Sequence, residues 1–214
     1  GGPVGLNEND PTLAMMLKSL GYTTGQFGKN HLGDLNKFLP TTKGFDEYWG
    51  WLYHLNAMEY TTDPDWPDDP EFAAQYGPRN IIHAWATDDV DETVDPRWGK
   101  VGKQRIVDDG PAPPERQKTL DNEVTAHTLD FIDRAVDDDT PFFVWMAPAR
   151  AHVWTHLSPE YEAMLGDGRG LQDVVMKELD DNVGKVLAHL KERGVSDNTI
   201  VVFTSDNGPE TVTW

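Results

Sequence analysis

The 214-residue chain contains no cysteine at all. That excludes disulfides, thiolate metal sites and a cysteine nucleophile from within it. Basic side chains are scarce as well: 18 Lys and Arg stand against 37 Asp and Glu, a net charge of −19. Such a surface repels phosphates rather than replacing their counterions, which argues against a nucleic-acid partner. No apolar run approaches the ~18 residues that would cross a bilayer, so no membrane span is expected. The chain opens Gly1-Gly2-Pro3-Val4-Gly5, without an initiator Met, a basic leader or an apolar leader. The expectation is a processed start or a piece of something longer.

What is present reads as alternating helices and strands. Asp10-Pro11 is a helix-start signal, and Leu13, Met16, Leu17 and Leu20 then recur on one helical stripe that Gly21 stops. Tyr22 to Phe27 reads as a short strand, followed by the polar, glycine-punctuated stretch 28–34. From about Tyr53 to Pro114 periodicity fails. Residues 61–70 and 87–96 are rich in Asp and Pro with Trp66, Trp85 and Trp98 nearby, so 53–117 is expected to be an irregular but folded excursion. Helical spacing returns with Leu120, Val124, Leu129, Ile132 and Val136. Residues 141–147 form an apolar run that predicts a strand buried on both faces. A long helix over 171–190, stopped by Gly194, precedes a second β-branched run at 199–204. The alternation predicts one α/β domain with a mostly parallel central sheet flanked by helices.

Ligands of open α/β sheets bind beyond the carboxyl ends of the strands. Lys29 and His31 follow the first strand. Arg150, His152 and His156 follow the second, and Ser205, Asp206, Asn207 and Gly208 follow the third. Each group alone has a plain reading: a solvated lysine, a turn-closing histidine, an Asp-Asn-Gly turn. His152 and His156 lie four apart, but no HExxH pattern supports a zinc pair. His54, His83, His127 and His189 show no recognisable spacing and read as structural or surface residues. Together the strand ends carry a chemical logic. Asp206 and Asn207 offer hard oxygen ligands for Ca²⁺ or Mg²⁺. Lys29 would hold an anion such as sulfate or phosphate, and His31 and His152 could move protons.

The 13 positions from Gly21 to Gly33, Gly-Tyr-Thr-Thr-Gly-Gln-Phe-Gly-Lys-Asn-His-Leu-Gly, match the sulfatase signature G-Y-x-T-x-x-x-G-K-x-H-L-G at every fixed position. Lys43-Gly44-Phe45-Asp46 resembles that family's G-F-D segment, and Thr204 to Gly208 resembles its metal-binding D-N-G. The chain therefore resembles the arylsulfatase branch of the alkaline-phosphatase-like superfamily over its whole length. The resemblance implies that Lys29 binds the substrate sulfate and that His31 assists the nucleophile. It implies that His152 contacts the ester and protonates the leaving alcohol, and that Asp206 and Asn207 ligate Ca²⁺ or Mg²⁺. It also implies a formylglycine nucleophile made from the Cys or Ser of C/S-x-P-x-R, a sulfate ester of a small molecule or carbohydrate as substrate, and export to the periplasm or outside.

The departures matter equally. The nucleophile motif precedes G-K-x-H-L-G in the family, but only 20 residues precede Gly21 here and none forms that pattern. Ala112 to Arg116 and Met146 to Arg150 mimic its spacing on the wrong side of Lys29, and neither begins with a residue that can become formylglycine. The family's N-terminal aspartate pair and the lysine beyond D-N-G are absent too. The expectation is the central part of a sulfatase catalytic domain, inactive as the piece 1–214. The rival readings are a phosphoesterase or phosphonate hydrolase of the same superfamily and a sulfatase-like binding protein without catalysis. Oligomeric state is left open.

Overall fold

A computed structural model of the protein describes residues 2–152, 155–205 and 207–208. The first helix, α1 (Leu13–Lys18), is capped by Thr12, whose hydroxyl accepts from the Met15 N–H at 3.1 Å. Asp10 does not cap it, because its carboxylate instead accepts from the Asn7 N–H in the preceding turn. The expected apolar stripe is not the buried face: Leu13, Met16 and Leu20 are exposed and Ala14 is buried. Gly21 ends the segment with a positive φ.

Strand β1 (Thr23–Gly28) runs parallel to β2 (Glu47–Gly50) on one side and to β5 (Phe142–Ala147) on the other. The sheet order is β4-β3-β2-β1-β5. Strands β3 (Ile82–Asp95) and β4 (Gly99–Asp108) extend it as an antiparallel hairpin, so the sheet is mixed rather than mostly parallel. Much of the segment expected to be irregular is therefore regular. Its Asp-rich tip is exposed on both faces, which removes the alternation that would mark a strand. Asp95 closes the hairpin by accepting from the Arg97 and Trp98 N–H groups at 2.7 and 2.8 Å. Short helices α2 (Leu55–Glu59), α3 (Pro70–Tyr76) and α4 (Pro114–Gln117) fill the rest of 53–117.

Helix α5 (Leu120–Asp137) packs its Leu120, Val124 and Phe131 onto one sheet face, where Phe27, Trp49, Trp51 and Leu55 complete the main core. Leu39, Tyr48, Leu52 and Ile82 form a second cluster. After β5 come α6 (Pro159–Glu162) and α7 (Leu171–Glu192), joined by Tyr161, Val174 and Val175. Helix α7 lies against α5. Its stripe is narrower than expected, since Leu171 and Leu187 remain exposed while Glu178 and Asn182 are buried.

Two strand expectations are corrected. β5 is only half-buried, because it is the edge of the sheet and Trp145 is 49% exposed. Residues 199–204 form no strand: no described strand lies alongside to accept their hydrogen bonds, and Ile200, Val202 and Phe203 face solvent.

Candidate active site

The three parallel strands finish side by side because β1 and β2 end in glycines, with no side chain to keep the strand ends apart. A Cβ on Gly28 would stand 1.9 Å from the Ala147 carbonyl oxygen, and a Cβ on Gly50 would stand 1.9 Å from the Gly28 oxygen. Gly28 also takes φ +107°, a conformation that glycine adopts at little cost. Gly28 pairs in register with Ala147, and the Lys29 N–H then donates to the Ala147 carbonyl at 2.9 Å. The Asn30 N–H donates to the Trp51 carbonyl at 2.9 Å, which ties the same loop to the end of β2. The loop carrying Lys29 and His31 is thus stitched to both neighbouring strand ends.

Side chains from all three ends meet. The His31 ring lies 5.9 Å from the His54 ring, and His54 stacks against His152 at 6.2 Å with an interplanar angle of 7°. His31 remains accessible to solvent. Partial burial of its ring, then the Lys29 charge, then the neighbouring His54 hold it below the usual histidine range. A histidine held this way is neutral, and able to accept a proton, at lower pH than usual.

His54 is the residue that sequence reasoning missed. It caps α2, with the Ala57 N–H donating to its Nδ1 at 3.3 Å. The available signal was positional: His54 lies four residues beyond β2, a third parallel strand end. That strand is only Glu47-Tyr48-Trp49-Gly50 and opens on a charged residue, so it carries no recognisable period. Its Glu47 is buried by design of the neighbours: His83 and Arg134 each reach it at 2.7 Å. Those two bonds hold its carboxyl below the ordinary range against the opposing effect of burial.

The other candidates separate. His156 pairs with Glu59 at 2.7 Å, fastening α2 to the loop after β5. Arg150 is fully buried against Glu178, its Nε 2.8 Å from the carboxylate, and also donates to the His156 carbonyl. Arg116 pairs with Asp109 and Glu123. The two arginines of the imitation motifs therefore brace loops, in keeping with chance spacing. Asp206 lies outside the described residues. Asn207 is exposed, and its side-chain amide donates to the Gly208 carbonyl at 2.7 Å.

The oxygen donors of Asp206 and Asn207 are of the type Ca²⁺ prefers, but their number is not sufficient. Among the described residues no group of three or more His, Asp or Glu side chains is arranged to hold a metal ion. Ca²⁺ takes ~6–8 oxygens. The residues present fit a metal in kind and fall short of a complete shell.

Comparison with known proteins identifies the family. The model of the Sulfatase family matches residues 2–213. The chain is 30% identical over 207 residues to N-acetylgalactosamine-6-sulfatase of Mus musculus, covering 95% of the chain and 34% of that protein. It is 32% identical over 208 residues to arylsulfatase G of Homo sapiens, covering 96% of the chain and 37% of that protein. The chain thus spans about a third of the length of these curated relatives. Among solved structures, the PsFucS1 sulfatase from Pseudoalteromonas sp. superposes with a TM-score of 0.68 at 24% identity, over 91% of the chain and 37% of that protein. Ps i-CgsB in complex with k-i-k-neocarrahexaose gives 0.60 at 22% identity, over 92% and 40%. These likenesses share the fold, and no described helix is long and apolar enough to cross a membrane. A family match over nearly every residue, on a sheet that gathers Lys29, His31 and His152 at adjoining strand ends, places this chain in the sulfatase family.

Proposed function

We propose that the chain is the central part of a sulfuric ester hydrolase, in which Lys29, His31 and His152 handle the sulfate ester. The observation that carries the reading is the convergence of a lysine and histidines at the carboxyl ends of β1, β2 and β5, held by the Lys29–Ala147 and Asn30–Trp51 backbone bonds. Lys29 offsets charge on the sulfate oxygens, worth most where water is excluded. His31, held toward its neutral form by burial and Lys29, accepts a proton from the attacking hydroxyl. His152 donates a proton to the departing alcohol oxygen. The attacking group itself is a formylglycine borne outside residues 1–214. Asp206 and Asn207 would contribute two oxygens to a Ca²⁺ or Mg²⁺, whose chemistry when bound is to neutralise further charge on the sulfate. A sulfated carbohydrate is favoured as substrate, since N-acetylgalactosamine-6-sulfatase and the Ps i-CgsB complex both involve sugars.

The test is turnover of 4-nitrophenyl sulfate against 4-nitrophenyl phosphate by the full-length gene product. Sulfate should be preferred, and Lys29→Ala and His152→Ala should each lower kcat by about 10²–10⁴-fold. A phosphatase preference, or wild-type rates in both variants, would sink the assignment. The piece 1–214 should bind Ca²⁺ more weakly than the ~10⁻⁴–10⁻³ M of extracellular calcium modules. Calorimetry finding tight binding would show that it contains a complete site.

A further inference from the structure

Beyond His54 the structure opens a second feature. A cleft of 240 Å³ is lined by Tyr60, Asp63, Asp65, Trp66, Pro67 and Phe72. Tyr60 forms its rim and touches the catalytic cluster, standing edge-on to His54 at 6.3 Å. Trp66 meets Phe72 edge-on at 5.2 Å, and Phe72 meets Tyr76 at 4.7 Å. The aromatic wall is therefore braced from behind. One residue before Tyr60, the Glu59–His156 pair fastens this segment to the loop after β5.

We infer that this cleft is the aglycone subsite and that it takes one neutral, hydroxyl-bearing sugar ring, excluding a ring with a second sulfate or a carboxylate. The inference rests on the sulfatase reading for the sulfate position and adds the class of ring beside it. Three observations carry it. The cleft is shallow and its 240 Å³ leaves room for no more than a single ring. Aromatic side chains supply flat apolar faces for the C–H face of a sugar. The charged lining is acidic only: Asp63 spends one oxygen on the Asp65 N–H at 2.9 Å, which leaves its other oxygen and the Asp65 carboxylate to accept from hydroxyl groups. Asp68 and Asp69 follow with no basic residue between 61 and 70, so a second anion meets only like charge.

The binding test uses lactose and its disulfated form as probes on the chain 1–214, read by saturation-transfer NMR. Lactose ring protons should receive saturation, Trp66→Ala should reduce it at least fivefold, and disulfated lactose should give less than lactose. Asp63→Asn combined with Asp65→Asn should narrow the gap between the two probes. Since Trp66 and both aspartates line a surface cleft, Trp66→Phe serves as the folded control and should retain most of the signal. No transfer to lactose, a signal indifferent to Trp66→Ala, or stronger binding of the disulfated sugar would overturn the inference. The sulfatase reading stands or falls separately, on 4-nitrophenyl sulfate turnover by the full-length gene product.

Discussion

His31 is the residue through which the local environment is most directly readable. Burial, Lys29 and His54 all push it toward the neutral form. If neutral His31 accepts the proton, kcat/KM falls on the acid side as His31 protonates, and a lowered pKa places that limb below the ordinary ~6.5 of histidine. His54→Asn should move the limb toward higher pH, because it removes the smallest of the three influences that hold His31 down while asparagine still caps α2. The pH profile of full-length protein with 4-nitrophenyl sulfate reads the shift, and an acid limb at or above ~6.5 in the wild type would remove His31 from that role. Glu47 gives a stability counterpart. Its carboxyl is depressed by His83 and Arg134, so its contribution is present above the unfolded carboxylate value and is lost as pH falls through the folded one. Glu47→Gln should therefore flatten the acid side of a stability-against-pH curve, measured by urea unfolding below pH 5.

At the scale of elements, the strand ends depend on missing side chains. Gly28→Ala places a Cβ against the Ala147 carbonyl at φ +107° and should cost at least about 2 kcal/mol, with loss of site geometry. Gly184 in α7 is the opposite case: nothing lies within 4 Å of a Cβ there, so Gly184→Ala should stabilise by about 0.5–1 kcal/mol. Denaturant unfolding of the two variants checks both signs, and a neutral Gly28→Ala would show that the strand ends can relax apart. The same contrast explains what could be read in advance. The signature around Lys29 and His31 is a local string, and long helices such as α5 carry their period in the chain, so both were legible. Strand β2 is four residues long, and the tip of the β3–β4 hairpin is exposed on both faces, so neither shows a period. With β2 unseen, the residue beyond its end, His54, had no reason to be chosen. The stripe of α1 failed differently: periodicity marks an apolar face but does not say what covers it, and Leu13 and Met16 are exposed here.

For the whole molecule, the distribution of apolar surface sets the behaviour of the chain 1–214 in solution. β5 pairs only with β1 among the described strands, leaving its outer edge open with Trp145 half-exposed. Ile200, Val201, Val202 and Phe203 lie outside any helix or strand and are exposed, a largely β-branched run of the kind that pairs with open edges. Covering such side chains contributes about 1.5–3 kcal/mol each, enough to drive association once several are buried together. The net charge of −19 opposes this, since each copy repels the next. The opposing term is screened by salt, with a Debye length of about 10 Å at 0.1 M and about 3 Å at 1 M, whereas apolar burial is not weakened. The chain should therefore be largely monomeric at low ionic strength and associate reversibly as salt rises. Val202→Lys with Phe203→Lys should keep it monomeric, at little cost to the fold because both side chains already face water. Sedimentation velocity at 0.02 M and 1 M NaCl distinguishes the outcomes. A wild-type chain that stays monomeric at high salt, or a double variant that associates equally, would mean that this run and the β5 edge do not drive assembly.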